Sequence, residues 1–116
     1  MNTDRELLEL AAKAAGLTIV GSIPSILHDD DWLETTATGP DMFWNPLQND
    51  GDALRLAVKL NMGISIPVMA ATHARVDVIT FRNSGVNVIE ACKDDPCAAT
   101  RRAIVRAAAE IGRNMK

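Results

Sequence analysis

A short block near the middle of the chain constrains the fold more than any other feature. Trp44–Leu47 (sequence WNPL) is followed at once by Asn49–Asp52 (sequence NDGD) and by an apolar-periodic run over residues 53–60. Proline biases the preceding residue towards an extended conformation, and a large aromatic side chain gains most from burial, so we expect Trp44 to pack into the core. The block therefore predicts a core anchor, a turn and a helix start in direct succession.

Capping residues and apolar spacing predict three helices. Thr3 followed three residues later by Glu6 is a capping box, and Gly16 can supply the left-handed residue that ends the first helix. Asparagine or aspartate residues can cap the other two helices: Asn49 or Asp50, and Asp95 or Asp94. The helices are expected over about residues 4–15, 50–61 and 96–114.

Short runs rich in β-branched residues predict the strands, at residues 17–20, 64–70, 75–81 and 86–92. Turn residues between the last two runs predict an antiparallel hairpin. Residues 21–40 show no clear period, and we expect a long loop excursion there with one short strand near residues 32–36. The order of elements predicts a single α+β domain over residues 1–116. In it, an antiparallel sheet of about three to five strands packs with an N-terminal, a central and a C-terminal helix.

The composition is that of a globular domain, since 47% of the residues are hydrophobic and 23% are charged. With a net charge of −3, the protein as a whole does not attract a polyanion, and a nucleic-acid partner would need a local basic patch, so we do not expect one. Met1–Glu6 contains no basic stretch followed by an apolar run, and no segment is long and apolar enough for a membrane span. We therefore expect a cytoplasmic protein without membrane contact.

Cysteine and histidine usage argues against a metal or another cofactor. Cys92 and Cys97 are accompanied by two distant histidines, His28 and His73, and this set lacks the ligands of a structural zinc site. A disulfide is geometrically possible, but we expect both thiols to stay reduced in the cytosol, as small buried hydrophobic side chains. Residues 28–31 (sequence HDDD) suggest either a hard-cation site or a solvated acidic turn. Because consecutive aspartates point apart, we expect the turn.

Catalysis has little support in the sequence. His73 and Asp77 are the candidates for an acid–base pair, and no nucleophile stands at a recognisable spacing from them. The nucleophile-elbow, phosphate-loop and metalloprotease signatures are absent. The hypothesis of a small hydrolase or nuclease rests on these two residues alone, and we assign no catalytic residue.

Arginines supply the candidate binding residues. With one residue about every 100°, Arg102, Arg106 and Arg113 fall on one face of the last helix, opposite its apolar face. Arg75 and Arg82 lie around the expected hairpin. Arginine forks suit bidentate contacts, so these residues predict a site for a small anionic ligand or an acidic partner protein. The alternative is an ordinary solvated helix face.

Two further features of the last helix bear on packing. Arg101 falls on its apolar side, where it must either extend to solvent or pair with a carboxylate, because an unpaired buried guanidinium is unfavourable. Small residues lie nearly all round the helix, namely Ala98, Ala99, Ala103, Ala107, Ala108 and Ala109. Since small residues allow close approach, this helix or an exposed strand edge predicts a homodimer or a higher homo-oligomer.

Three motifs carry a resemblance to known proteins. They are WNPL at residues 44–47, DGDALRLA at residues 50–57 and DPCAATRRAI at residues 95–104. The pattern is similar to that of short uncharacterised proteins of tailed phages and prophages, of the phage ABA-sandwich type. The resemblance covers the first helix, the WNPL block and the last helix, whereas residues 18–40 match no motif. It implies a small α+β sandwich with no assigned enzymatic activity, so it transfers no catalytic residue.

The resemblance also implies an accessory protein that acts in the cytoplasm of a bacterial host. Our leading hypothesis is that the protein binds a host factor or a small ligand and thereby counteracts a bacterial defence system. The alternative is a non-catalytic, self-associating structural or regulatory phage protein.

Overall fold

The structure is a computed structural model that describes residues 3–23, 32–37, 39, 42–66, 74–80, 85–92 and 95–115. The helices in these ranges are α1 (Asp4–Ala15), α2 (Asp50–Lys59) and α3 (Pro96–Arg113). The strands are β1 (Ile19–Ile23), β2 (Trp32–Thr35), β3 (Phe43–Trp44), β4 (Met62–Ser65), β5 (Arg75–Thr80) and β6 (Asn87–Ala91). The predicted α+β class, with three helices and antiparallel strands, is confirmed.

The described strands form two antiparallel sheets of three strands each. Sheet A has the order β1-β2-β3, and sheet B has the order β4-β5-β6. The predicted hairpin is confirmed in sheet B, where Val78 of β5 lies opposite Val88 of β6. The division into two sheets was not predicted. Short-range patterns in the sequence do not show which strands pair across a long connection, so they could not assign the six described strands to two sheets.

The predicted loop over residues 21–40 begins later than expected. Gly21–Ile23 continues β1 and pairs with β2, after an irregularity in the register between Ile19 and Gly21. Glycine is a turn former in isolation, but here the ladder with β2 overrides that preference. The expected short strand near residues 32–36 is β2, while residues 24–31 lie outside the described residues.

Local capping signals start the helices as predicted. Thr3 Oγ1 accepts a hydrogen bond from the Glu6 amide at 3.2 Å. Asn49 caps α2 and Asp95 caps α3 in the same way. α1 ends at Gly16, whose φ of 75° is left-handed. These boundaries follow from short-range chemistry that the sequence displays directly.

Helices α1 and α3 pack side by side and run in the same direction. Asp4, at the start of α1, forms an ion pair with Arg102 at 3.1 Å. Lys13, near the end of α1, donates a hydrogen bond to the carbonyl oxygen of Met115 at 3.0 Å. This parallel pair joins the N-terminal and C-terminal elements of the chain into one unit.

The small residues of α3 pack inside the protein. The buried ones are Ala99, Ala103, Ala107, Ala108 and Ala109. At Gly112, an added methyl carbon would lie 2.8 Å from the carbonyl carbon of Leu10 on α1. The close helix approach expected from these residues therefore occurs within one chain. Self-association stays a prediction, but this helix face is already covered.

The core lies around α3, which contacts α1, α2, β5 and β6. Val76 and Val78 of β5 are fully buried beneath it. Sheet A contributes Leu33 and Trp44, which lie opposite each other on β2 and β3 and belong to the same cluster. Trp44 is 1% exposed, so its predicted place in the core is confirmed. None of the helices described is long and apolar enough to cross a membrane.

Candidate functional site

The WNPL block is a polar clasp that holds α2 against the rest of the protein. The Asn45 amide donates to Asp52 Oδ2 at 2.9 Å, and the Leu47 amide donates to Asn45 Oδ1 at 3.0 Å. Asp52 lies in the first turn of α2 and is 2% exposed. Arg101 of α3 donates through Nε to the Leu47 carbonyl oxygen at 2.8 Å. The WNPL block therefore has a structural role in joining α2 to α3.

Arg101 pairs with a carboxylate, which was one of the two alternatives predicted for it. Its Nη1 lies 2.6 Å from Asp50 Oδ1. The Arg101 side chain is 15% exposed, whereas that of Asp50 is 73% exposed. The guanidinium thus lies at the protein surface between α2 and α3, with its stem covered and one edge bound to the chain.

Replacing Arg101 by alanine is expected to lower the free energy of unfolding by about 1–2 kcal/mol. The substitution removes the hydrogen bond to Leu47 and the pair with Asp50 together. Urea titration followed by circular dichroism measures the loss. The matched control is Arg5→Ala, which removes an exposed pair with Glu9 and should cost less than about 0.5 kcal/mol. An Arg101→Ala protein as stable as the wild type would contradict this role.

A groove of about 340 Å³ opens beside the Arg101–Asp50 pair, between α2, β4 and the start of α3. Ala53 and Ile104 are its buried wall residues, at 2% and 3% exposure. Ile64 of β4 contributes a partly buried wall. The lining is apolar except for the ion pair at one end and Thr100, whose hydroxyl group donates to the Pro96 carbonyl oxygen at 2.8 Å. Such a surface can accept an aliphatic or aromatic group and orient it by a polar contact at one end.

The rim of the groove carries large apolar side chains that face water. Leu54 is 61% exposed and Ile66 is 63% exposed. Cys97 and Pro96, in the first turn of α3, complete this side. Exposed apolar residues are ordinary when single, but here they cluster around a concavity. The groove is therefore the candidate functional site.

Neither cysteine takes part in a disulfide in the structure, and the two differ in burial. Cys92 is buried at 2% exposure, as predicted. Cys97 is exposed, and the expectation that it would be a buried hydrophobic residue is wrong. The reason is its position at the second residue of α3, where it faces the groove instead of the core.

The predicted arginine site on α3 is occupied by ion pairs. Arg102 Nη1 lies 3.1 Å from Asp4 Oδ1, and Arg102 Nε lies 3.9 Å from Glu90 Oε1. Arg106 pairs with Glu90 and also donates to the Ile89 carbonyl oxygen at 3.4 Å. Glu90 therefore holds both arginines and partly neutralises them. Arg106 in addition covers a carbonyl group at the edge of sheet B.

The remaining arginines do not join this pair. Arg113 binds Glu110 one turn earlier on the same helix. Arg75 is the exposed first residue of β5, and its side chain contacts no carboxylate in the part of the chain that the structure describes. Arg82 lies outside the described residues. The structure thus brings together Arg102 and Arg106 and leaves the other three candidates apart or undescribed.

The residues considered for catalysis and metal binding do not form a described site. His73 and residues 28–31 lie outside the described ranges. Asp77 lies in the middle of β5, and its Oδ1 is buried without a hydrogen-bond partner. Within the described ranges, no group of three or more metal-ligating side chains converges.

The rim residues were not predicted from the sequence. The apolar spacing of α2 predicts a buried stripe at positions such as Ala53 and Leu56, which are buried at 2% exposure each. Leu54 and Val58 lie off that stripe, four residues apart, and are 61% and 69% exposed. Large apolar side chains outside the buried stripe were the sequence signal that could have indicated the groove, because such side chains often form a contact surface.

Comparisons with protein-family models, with curated proteins and with solved structures found no match. The fold and the site together define a small α+β protein with an apolar surface groove that ends in an ion pair.

Proposed function

We propose that this chain is a phage or prophage accessory protein that binds a host protein through the groove and thereby counteracts a bacterial defence system. The observation that carries the binding role is the apolar groove of about 340 Å³ with Leu54 and Ile66 exposed at its rim. Its volume falls within the range of about 300–1,000 Å³ in which proteins bind ligands and side-chain anchors.

The energetics suit an apolar anchor from a partner protein. Covering the exposed parts of Leu54 and Ile66 would contribute about 1–2 kcal/mol each to binding. An inserted aromatic or aliphatic side chain adds a similar or larger amount, as the central anchors of protein interfaces do. The Asp50 carboxylate, which is largely exposed, offers a polar contact at the end of the groove.

A host protein is better supported as the partner than a small anionic ligand. Anion binding by the α3 arginines would have to displace Asp4, Glu90 or Glu110 from existing ion pairs. The groove needs no such exchange, because its lining is apolar and its rim faces water. A protein that binds in this way requires no catalytic residue or cofactor.

The phage origin is supported by the resemblance at residues 44–47, 50–57 and 95–104. Under that origin the protein acts in the cytoplasm of a bacterial host. The alternative is a non-catalytic, self-associating structural or regulatory phage protein. It is favoured by a second exposed surface, the face of sheet B that points away from the helices.

Plaquing efficiency of phage on matched hosts, each carrying one defence system, tests the proposal. Expression of the wild-type chain is expected to restore plaquing on at least one host. Leu54→Glu is expected to abolish this rescue, because a carboxylate at the rim cannot be buried against an apolar anchor. The affinity for the host protein should fall tenfold or more, which corresponds to about 1.4 kcal/mol of binding energy, and plaquing should return towards its level without the protein.

The matched control is Val58→Glu. Val58 is 69% exposed on the same helix and does not line the groove, so the substitution makes the same change in charge outside the site. Val58→Glu should rescue plaquing as the wild type does, with equal expression and an unchanged circular dichroism spectrum. Equal loss in both variants would argue against the groove. Absence of rescue by the wild type across a broad panel would overturn the anti-defence role.

A further inference from the structure

Sheet B has one face under the helices and one face away from them. Along β5, Val76, Val78 and Thr80 are buried, and they alternate with Arg75, Asp77 and Ile79. Because side chains alternate across a strand, Arg75, Asp77 and Ile79 lie together on the outer face of sheet B. This outer face is separate from the groove, which Ile64 of β4 lines from the helix side.

The outer face combines apolar and charged residues. Ile79 is 39% exposed, and Ile89 of β6, directly opposite Asp77, is 50% exposed. Ala91 lies opposite Arg75 and is exposed as well. Two isoleucines therefore lie next to Asp77 on the outer face, and Arg75 lies two positions before it on β5.

The two charged residues of the outer face lack partners within the described part of the chain. Asp77 Oδ1 has no hydrogen-bond partner although the atom is shielded from solvent. Such orphan acceptors are rare in folded proteins, because a buried carboxylate oxygen without a donor is unfavourable. Asp77 as a whole is only partly buried, so a donor from outside the chain can meet the carboxylate at Oδ2, while Oδ1 itself stays shielded. Arg75 is exposed and has five donors to offer.

We propose that the outer face of sheet B binds the same face of a second copy of this chain, about a two-fold axis. In that arrangement Arg75 of each copy donates to Asp77 of the other. An isologous contact repeats every pair, so a surface with one cation and one anion becomes complementary to itself. Since Ile89 lies opposite Asp77 and Ala91 lies opposite Arg75, the same axis places Ile89 of each copy over Ala91 of the other, and this apolar contact borders the two ion pairs.

The distances suit this pairing. Arg75 and Asp77 are two residues apart on one strand, which separates them by roughly 7 Å. Face-to-face sheets pack about 10 Å apart, a gap that an arginine and an aspartate side chain together can span. A partner with one sign of charge would satisfy one of these residues and desolvate the other. A second copy satisfies both.

The area of the outer face predicts a weak dimer. Three strands spaced about 4.8 Å apart, the longest of six residues, span roughly 14 Å by 20 Å. This is well below the about 800 Å² per partner of a standard interface, so a weak, transient dimer is expected. The dimer should therefore form with rising protein concentration and weaken with added salt.

Sedimentation velocity from about 5 to about 500 µM tests the dimer with two charge reversals. Arg75→Asp places two carboxylates on each copy, and Asp77→Arg places two guanidinium groups on each copy. Each variant alone is expected to stay monomeric over the range in which the wild type dimerises. An equimolar mixture of the two variants is expected to dimerise, because both pairs across the two-fold axis are then complementary.

Lys59→Glu is the control, since it reverses one exposed charge on α2 away from the outer face and should dimerise as the wild type does. Circular dichroism verifies that every variant is folded. A wild type that stays monomeric at the highest concentration would overturn the proposal, and so would a dimer that both charge reversals leave unchanged. Leu54→Glu should dimerise as the wild type does, because Leu54 does not lie on the outer face. Failure of the dimer therefore would not contradict the groove proposal, which the plaquing experiment tests separately.

Discussion

Replacing Gly112 by alanine is expected to lower the free energy of unfolding by about 3 kcal/mol. The added methyl carbon would lie 2.8 Å from the carbonyl carbon of Leu10, and closer still to its oxygen. The neighbour is backbone within α1, so it cannot rotate away, and the parallel helices must separate. Alanine is the better helix former by about 1 kcal/mol, and the loss is expected in spite of that gain.

Gly51→Ala is the matched control for Gly112→Ala. It adds the same methyl group to a helical glycine of α2, where the nearest atoms belong to the side chains of Asn49 and Arg55. These side chains can shift by a few tenths of an ångström, so we expect a change within about 1 kcal/mol. Thermal unfolding should show a decrease of roughly 10 °C or more for Gly112→Ala. Equal melting temperatures for the two variants would show that the helices tolerate separation.

Gly112 also shows where sequence reasoning succeeds and where it stops. The caps at Thr3, Asn49 and Asp95 were predictable, because each acts on an amide within three residues. A glycine inside an alanine-rich helix was a visible signal of close packing. The sequence does not reveal that Leu10 is the neighbour, since that contact joins residues at opposite ends of the chain.

For the charged residues too, the sequence predicted the local position but not the long-range partner. The α3 arginines were placed correctly on an exposed face, but the sequence did not indicate which carboxylates they meet. Arg102 pairs with Asp4, 98 positions away, and Arg101 pairs with Asp50, 51 positions away. Such pairs depend on how helices and sheets are arranged. A candidate anion site and an intramolecular ion pair therefore look alike in sequence.

The groove could not be predicted from the sequence for a related reason. Leu54 lies on α2 and Ile66 directly follows β4, and both border one cavity only when α2, β4 and α3 assemble. Periodicity identifies which residues a helix buries, but it does not show where two elements leave a space between them. The exposed apolar side chain at position 54 was detectable, whereas its partner across the groove was not.

The groove and the outer face of sheet B have consequences for each other. Ile64 and Val78 lie on the helix side of the sheet, whereas Ser65 and Asp77 lie on the other side. A dimer through the outer face would therefore leave both grooves open and directed away from the contact. Two weak grooves on one dimer can gain about 10²–10⁴ in avidity against an oligomeric host complex. This arrangement would let a small protein with modest individual contacts bind such a target effectively.

Replacing Trp44 by alanine is expected to be the most destabilising single change, with a loss of about 3–5 kcal/mol. Trp44 is 1% exposed and lies opposite Leu33 in the core, directly before the clasp of Asn45 and Asp52. A cavity at this position removes core contacts of sheet A and loosens the segment that starts α2. For a chain of this size the loss is a large part of a total near 6–17 kcal/mol, at about 0.05–0.15 kcal/mol per residue.

Phe43→Ala is the matched control for the tryptophan, because Phe43 is the neighbouring aromatic residue of β3 and is 42% exposed on the opposite face. Its loss should be less than about 1.5 kcal/mol, since less of its area is buried. Urea unfolding followed by far-ultraviolet circular dichroism compares the two without relying on tryptophan fluorescence. If Trp44→Ala costs no more than Phe43→Ala, the WNPL block does not anchor the core. That result would make Trp44 a candidate contact residue for a ligand and not a structural residue. A large difference would mean that the motif is maintained by packing, which leaves recognition to the groove at Leu54 and Ile66.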